Sequence, residues 1–509
     1  MHPLLPVLPI VVPLAGAAVC LPLRRPRLQR ALAVAGSVAV LVGGAVLLAE
    51  TATRGPSAVP IGGWPAPFGI VLVADVFSAV MVTLAGAVAL AATAFSLAEA
   101  NPLRERLGHQ TLVLILLAGV SGAFLAGDLF NLYVWFEVLL MASFVLAALG
   151  GDPARIRGAI KYVTLNLLAS AMFLAAVGLL YGLTGTLNLA HLAVRLPELT
   201  SPPVAGAPAM LLLTAFGIKA AIFPLFFWLP AAYTPLPVSV SALFAGLLTK
   251  VGVYALIRVF TLVFADDPAF AGGLLLVPAG LTMITGVLGA VAQTDMRRLL
   301  SFHIISQIGY LLMGLGLAGS APTPELRTLA LAGTVYFLIH VILCKSSLFL
   351  AAGTADRLTG AGFDLDRLGG LYRHHPAAAA AFFLPAFSLA GMPPLSGFVA
   401  KLTLISAALA SGAWAIAAVA LATGLLTLLS MTKIWTHAYW APRPDRPADA
   451  PPPPTARQLR LMLAPQIAVA VVIALIGLAA GPVLELSALA ARRLLDRGEY
   501  IRAVLGGPP

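Results

Sequence analysis

Apolar runs of about 20 residues recur along the whole chain, each long enough to cross ~30 Å of hydrocarbon at 1.5 Å per residue. Short polar loops separate them. This pattern predicts fourteen membrane-spanning helices, at 4–22, 31–51, 70–98, 111–127, 129–149, 159–184, 207–230, 238–264, 270–292, 299–319, 328–354, 376–412, 413–440 and 459–487. Two of them read as broken helices. The seventh carries Lys219 and then Pro224, and a proline removes one helical hydrogen bond and crowds the carbonyl four residues back. The twelfth is too long for one straight crossing and carries Gly391, Pro393, Pro394 and Gly397. Backbone groups freed inside a membrane are tolerated only against protein or water, so a polar pocket is expected around Lys219.

Composition agrees with the pattern. Of 509 residues, 60% are hydrophobic and 10% charged, against roughly 25% charged in a soluble domain. Several soluble domains are thereby excluded in favour of one membrane domain over 1–509. The net charge of +11 does not imply nucleic acid, because the basic residues sit in short loops. The loops after spans 1, 3, 5, 9, 11 and 13 hold eighteen Lys and Arg, beginning with Arg24, Arg25, Arg27 and Arg30. The other side holds eight: Arg54, Arg195, Arg258, Arg327 and, in the C-terminal tail, Arg492, Arg493, Arg497 and Arg502. The excess marks the first set as cytoplasmic and both termini as external. Basic residues follow the first apolar run rather than precede it, which fits a retained helix rather than a signal peptide. An amphipathic helix on the external face would account for the basic tail. Cys20 and Cys344 lie in apolar segments, and neither a disulfide framework nor a metal or cofactor site is expected.

Five basic residues fall inside spans: Lys219, Lys250, Lys345, Lys401 and Lys433. The chain has only six lysines, the sixth being Lys161, and otherwise writes positive charge as arginine. Chemistry separates the two residue types. Arginine effectively never loses its proton, whereas a buried lysine can titrate near neutrality. An intramembrane ionisable group costs at least ~2.5–3.5 kcal/mol on insertion scales, so five of them are not accidents: they serve function, or pair structurally or snorkel to an interface, the latter above all for Lys345 and Lys433. Lys345 and Lys433 are expected nearer span ends. Glu137 is the deepest carboxylate and needs a cationic partner; at 4 Å and an effective dielectric near 20 such a pair is worth about 4 kcal/mol. Asp75 and Asp128, near span ends, read as caps. His340 lies deep in span 328–354, and His303 nearer a cytoplasmic end of span 299–319. Lysines follow the two broken helices at offsets of 31 (Lys219 to Lys250) and 32 (Lys401 to Lys433). With the two broken spans five crossings apart, this predicts an inverted repeat.

The run Gly127-Asp128-Leu129-Phe130-Asn131-Leu132-Tyr133-Val134-Trp135-Phe136-Glu137 resembles the fifth-helix motif of antiporter-like membrane subunits, a group that includes the proton-pumping subunits of respiratory complex I. Continued by Ile160-Lys161-Tyr162 and Asn166-Leu167 with Ser170-Ala171, it is similar to the D-type subunit of Mrp sodium/proton antiporters. Further matches are Gly217-Ile218-Lys219-Ala220 with Phe223-Pro224, Leu248 to Tyr254, Ser306 to Tyr310, and Gly391 to Phe398. The resemblance covers about residues 70–435. It implies an all-α fold of fourteen helices with two inverted five-helix repeats, at 111–264 and 270–440, flanked by helices 1–3 (1–98) and a last helix with its tail (459–509).

By the same resemblance Glu137 is the fifth-helix acid, Lys219 its partner, Lys250 the connecting lysine and Lys401 the terminal lysine, with His340 and Lys345 between them. One departure stands out: His340 is followed by Val341, where relatives often have two adjacent histidines. The implied function is a proton-translocating, non-enzymatic subunit of a sodium/proton antiporter in a bacterial inner membrane, working with companion membrane subunits and without a cofactor. Sodium is expected to cross largely elsewhere. The alternatives are a proton-pumping subunit of an NADH dehydrogenase or membrane hydrogenase, or of an inorganic-carbon uptake complex.

Overall fold

A computed structural model of the chain describes residues 4–23, 25–99, 101–199, 202–266, 268–442, 444–448 and 450–506; Arg24, counted above with the cytoplasmic charges, lies outside them. The chain opens with α1 (Leu8–Cys20), α2 (Pro26–Arg54), a hairpin of β1 (Ser57–Pro60) and β2 (Val71–Ala74), and α3 (Val76–Ser96). The short α4 (Pro102–Arg106) leads to α5 (His109–Leu125), α6 (Leu129–Ala148), α7 (Pro153–Thr184), α8 (Leu189–Leu199), α9 (Pro202–Ala220), α10 (Trp228–Tyr233) and α11 (Val238–Leu262). Next come α12 (Pro268–Val291), α13 (Met296–Ser320), α14 (Pro324–Thr359), the short α15 (Leu371–His374), α16 (Pro376–Ala390), α17 (Ser396–Ala410) and α18 (Trp414–Ile434). The last three are α19 (Ala456–Leu478), α20 (Ala480–Leu495) and α21 (Arg497–Leu505).

Among the described residues ten helices are long and apolar enough to cross a membrane, and five shorter ones (α1, α5, α9, α16 and α17) are apolar as well. Each of the fourteen expected segments overlaps one of these fifteen, and 376–412 overlaps two. The distribution of side chains is that of a polytopic all-α membrane protein. Leu421, Leu425 and Leu429 form an exposed stripe along α18, as a lipid-facing surface requires. Every residue of α11 is buried, and Lys250 and Lys345 are wholly inaccessible. Apolar side chains cover the outer face as well as the core, and Lys219, Lys250, Lys345 and Lys401 lie inside.

The structure corrects the sequence reading in four places. Segment 70–98 is not helical throughout: Val71–Ala74 pairs antiparallel with Ser57–Pro60, and the helix begins only where Asp75 accepts from the Ser78 amide at 2.8 Å. Segment 459–487 is interrupted at Ala479, where φ/ψ of −103°/48° ends α19 and turns the chain into α20. Two arginines counted with the loop charges are buried. Arg258 pairs with Asp75 at 2.7 Å; Arg297 donates to the carbonyls of Tyr233 (3.1 Å) and Leu236 (2.6 Å) and to the Ser241 hydroxyl. Lastly, the basic tail is tied down. α20 buries Ser487, Ala490, Ala491 and Leu494. Arg493 donates to the carbonyls of Thr51 and Ala52 at the end of α2, and Arg497 pairs with Asp266 at 2.6 Å. Arg493 thus sits at the C-terminal end of α2, where a cation complements the helix dipole.

Candidate functional site: buried lysines between two helix breaks

α9 ends at Ala220. Ala221 takes a left-handed φ of 62° and the Phe223–Pro224 peptide is cis. The backbone groups released there find neutral partners. Trp228 Nε1 donates to the Ile218 carbonyl at 3.0 Å, and the Phe223 amide donates to Thr282 Oγ1 of α12 at 3.0 Å. The break is thus satisfied without Lys219, whose ammonium is free to point elsewhere.

It points at Ser170. Lys219 Nζ donates to Ser170 Oγ at 3.1 Å, and Ser170 Oγ donates to Glu137 Oε1 at 2.5 Å. Lys219 is buried, Glu137 half-buried. The expected direct ion pair is not formed: among the described residues no Lys219–Glu137 contact falls within 4.0 Å, and a hydroxyl of α7 stands between the two charges. The ammonium also lies 4.9 Å from the Phe136 ring centroid, a distance at which the negative face of the ring attracts a cation. A small cavity beside it is lined by Lys219, Phe136, Tyr162, Asn166, Trp228 and Leu248, so it reaches α11 two residues before Lys250.

Lys250 folds its ammonium back along α11 to the Ala245 carbonyl at 2.5 Å. Lys345 sits on α14, a helix of 36 residues. This corrects the expectation that it lies near a span end, because the helix continues to a cap at Gly360. Its Nζ is buried without a hydrogen-bond partner among the described residues. Both Lys250 and Lys401 lie within its electrostatic reach. α11 and α14 approach closely here: a Cβ on Gly246 would come within 2.3 Å of Ser346 Oγ.

The second break lies between α16 and α17. Gly391, at φ 96°, ends α16, and the Pro393–Pro394 peptide is cis. Here the lysine itself is the cap. Lys401 Nζ, one turn and a half into α17, donates to the carbonyls of Leu389 (2.9 Å) and Ala390 (3.0 Å) at the end of α16. It also lies 5.2 Å from the Tyr310 ring centroid. His340 of α14 faces the same gap. Its Nδ1 is 2.9 Å from Ser396 Oγ, and Ser388 Oγ is 3.1 Å from Ser396 Oγ; its Nε2 has no partner among the described residues. Close approach is needed for this packing, and Gly477 of α19 has room only for a hydrogen, since a Cβ there would lie 2.5 Å from the Pro394 carbonyl oxygen.

His303, in the first third of α13, is wholly buried; its Nε2 is 2.5 Å from Ser430 Oγ of α18 and its Nδ1 3.4 Å from Ser306 Oγ. It lies within electrostatic reach of Lys345 and Lys401. Lys433 stands apart. It donates to the carbonyls of Val291 (3.2 Å) and Gln293 (2.8 Å) at the end of α12, which is a helix-capping position. The nearly equal lysine offsets therefore do not pair equivalent residues: Lys219 precedes Pro224 by five positions, whereas Lys401 follows Pro394 by seven. Sequence reasoning missed Ser170, Ser388, Ser396 and Tyr310. Of these, Ser170, Tyr310 and Ser396 lie in the quoted motif runs and carry a signal; Ser388 does not, a hydroxyl inside an apolar run being common.

A membrane-embedded row of lysines flanked by two broken helices and opened by one glutamate defines a class of ion-translocating subunit. The chain belongs to the family described as NADH:quinone oxidoreductase/Mrp antiporter, transmembrane, whose pattern matches residues 126–427. It is 44% identical to the D-type subunit of the Na(+)/H(+) antiporter of Alkalihalophilus pseudofirmus, over 98% of this chain and 99% of the relative. It is 40% identical to the corresponding Na(+)/H(+) antiporter protein of Bacillus subtilis over the same shares. Among solved structures it resembles a chain of the Mrp complex from Dietzia sp., with a TM-score of 0.91, 35% identity, and coverage of 99% of this chain and 100% of that one. It also resembles a chain of respiratory complex I from Thermus thermophilus, with a TM-score of 0.81, 25% identity, and coverage of 97% and 100%.

Proposed function

We propose that this chain is the proton-translocating subunit of a multisubunit sodium/proton antiporter. Protons move along Glu137, Ser170, Lys219, Lys250, Lys345 with His340, and Lys401. The single observation that carries this reading is the Glu137–Ser170–Lys219 bridge. Lys219 donates to a hydroxyl that in turn donates to the carboxylate. A proton shifted from Nζ to Ser170 Oγ, with the hydroxyl hydrogen passed on to Glu137 Oε1, neutralises both charges. Because the ion pair is bridged, its two states differ by one relay step rather than by a large side-chain swing. Lysine suits this task because it can exist neutral inside a low-dielectric site.

In this reading the fourteen segments are fourteen crossings with both termini external, in the inner membrane of a bacterium. The two breaks belong to inverted five-helix repeats at 111–264 and 270–440. Sodium crosses largely through companion membrane subunits, since the hydropathy pattern puts no other carboxylate as deep as Glu137 and a hard cation is held by several oxygens. The test is sodium-dependent proton exchange in inverted vesicles carrying the whole complex. Glu137→Ala and Lys219→Ala are each expected to lower exchange by about a hundredfold, the scale of a lost proton-transfer group, with normal assembly. Wild-type exchange in both variants overturns the proton path, and no exchange in the wild-type complex turns the assignment to a redox-driven relative.

A further inference from the structure

The proton path above leaves one set of buried polar groups unused. It lies between α3, α5 and α11, at the end of the molecule that carries the excess of basic loops. Thr93 Oγ1, His109 Nδ1 and Gln110 Oε1 are buried there without a hydrogen-bond partner among the described residues, and the three residues are 2%, 7% and 2% exposed. An orphaned buried polar group costs about 1–3 kcal/mol unless water satisfies it. Two adjoining cavities account for them. The outer one, about 20 Å³ and so room for about one water, is lined by Glu99, Asn101, Arg104, Glu105, Gln110 and the shared residues Ser96, His109 and Ser239. The inner one, about 10 Å³ and so room for a single water at most, continues from those three to Thr93, Val113 and Leu243. The mouth is fixed in place, because the Glu99 carboxylate accepts from the first amides of α11, Val238 and Ser239, at 3.1 Å each.

On α11 the inner end stops short of the Lys250 ammonium by about half a helical turn. Leu243 precedes Ala245 by two residues, roughly 3 Å of rise, and Ala245 is the carbonyl to which the Lys250 ammonium folds back. On α3 the wall passes from Ala92, which lines the inner cavity, to Val88 one turn on. A Cβ on Gly246 would touch Val88 at 3.0 Å.

Resting on the antiporter reading, we propose that this pair of cavities is a hydrated proton inlet that loads Lys250 directly from the basic-loop side, with His109 and Thr93 holding its water. Glu99, Arg104 and Glu105 are the charged groups around His109, and they give the mouth its polarity. Leu243 and Val88 form the dry constriction before the lysine. The inlet bypasses Glu137 and Lys219, so it supplies the connecting lysine by a route of its own.

Two measurements test it in the whole complex. Ser239→Cys and Thr93→Cys are labelled with the impermeant reagent 2-(trimethylammonium)ethyl methanethiosulfonate, in inverted and in right-side-out vesicles. The native cysteines, Cys20 and Cys344, are both buried, and the unsubstituted complex gives the background. Labelling from inverted vesicles, faster at Ser239 than at Thr93, is expected; equal labelling from both sides, or none above background, overturns the inlet. This arm needs no transport activity and so stands apart from any failure of the antiporter reading. In the second arm Thr93→Val keeps the shape and removes the hydroxyl, and His109→Leu removes the imidazole. Each should slow exchange about tenfold, an effect of roughly 1.4 kcal/mol, and Thr93→Ser should restore it. Wild-type exchange in assembled Thr93→Val and His109→Leu complexes overturns the proposal.

Discussion

At the first break the freed backbone groups go to Trp228 and Thr282, both neutral, and Lys219 turns sideways to a hydroxyl and a carboxylate. At the second break Lys401 commits its ammonium to the carbonyls of Leu389 and Ala390, and no carboxylate is among its partners. The first break bends through an alanine at positive φ, the second through a glycine. The same sequence device, a proline break beside a lysine, therefore holds its charge in two ways. One lysine is answered by an acid through a relay, the other by the negative end of a helix. The first arrangement can be neutralised by moving one proton. The second can lose its proton only by weakening the cap that holds the break together, so there structure and proton occupancy are coupled.

Four outcomes would break or sharpen this contrast. The largest effect is expected of Glu137→Gln, which leaves an acceptor for Ser170 but no proton site; vesicle exchange should fall by about a hundredfold while the amount of assembled complex is unchanged. Next come the charge-locked lysines. Lys219→Arg and Lys401→Arg should both slow exchange by up to about a hundredfold, since arginine holds its proton, yet only Lys401→Ala should lower the thermal midpoint. The latter leaves two carbonyls uncapped, a loss of roughly 1–3 kcal/mol, whereas Lys219→Ala leaves the first break satisfied. Equal thermal midpoints for the two alanine variants would erase the distinction.

A smaller effect is expected at Ser170. Removing the bridge in Ser170→Ala should slow exchange about tenfold, comparable to losing one hydrogen-bonded contact of ~1.4 kcal/mol, and Ser170→Thr should recover most of it. Wild-type rates in Ser170→Ala would mean that Glu137 and Lys219 exchange protons without it. Smallest of all is Lys433→Met. It removes a cap from the end of α12 and should lower stability by about 0.6 kcal/mol, the average found for membrane hydrogen bonds, with exchange unaltered. A loss of exchange there would return Lys433 to the proton path.

Most of the architecture was legible because a membrane simplifies the code. Apolar length alone located helices, and each expected segment found a counterpart. Where the reading failed, the competing signal was local. Val71–Ala74 is as apolar as a helix start, yet its pairing with Ser57–Pro60 decides for a strand. α19 and α20 read as one segment because the apolar run continues through Leu478-Ala479-Ala480, and the turn signal of Gly481-Pro482 just beyond it is passed over. Arg258 and Arg297 were counted as loop charges because burial depends on what Asp75 and the Tyr233–Leu236 carbonyls offer from elsewhere.

For the site, the sequence by itself determined which groups could hold a proton: one deep glutamate, lysines kept where the chain otherwise uses arginine, and histidines in apolar runs. Those are properties of residue type and depth, and depth is readable from hydropathy. Only the tertiary structure decided what each amine faces. The Ser170 bridge and the capping role of Lys433 arise from helices far apart in sequence, and the capping role of Lys401 and the bare Nζ of Lys345 from how the chain folds around each amine. A long flexible side chain can reach several neighbours, so its partner is set by packing rather than by its own position along the chain.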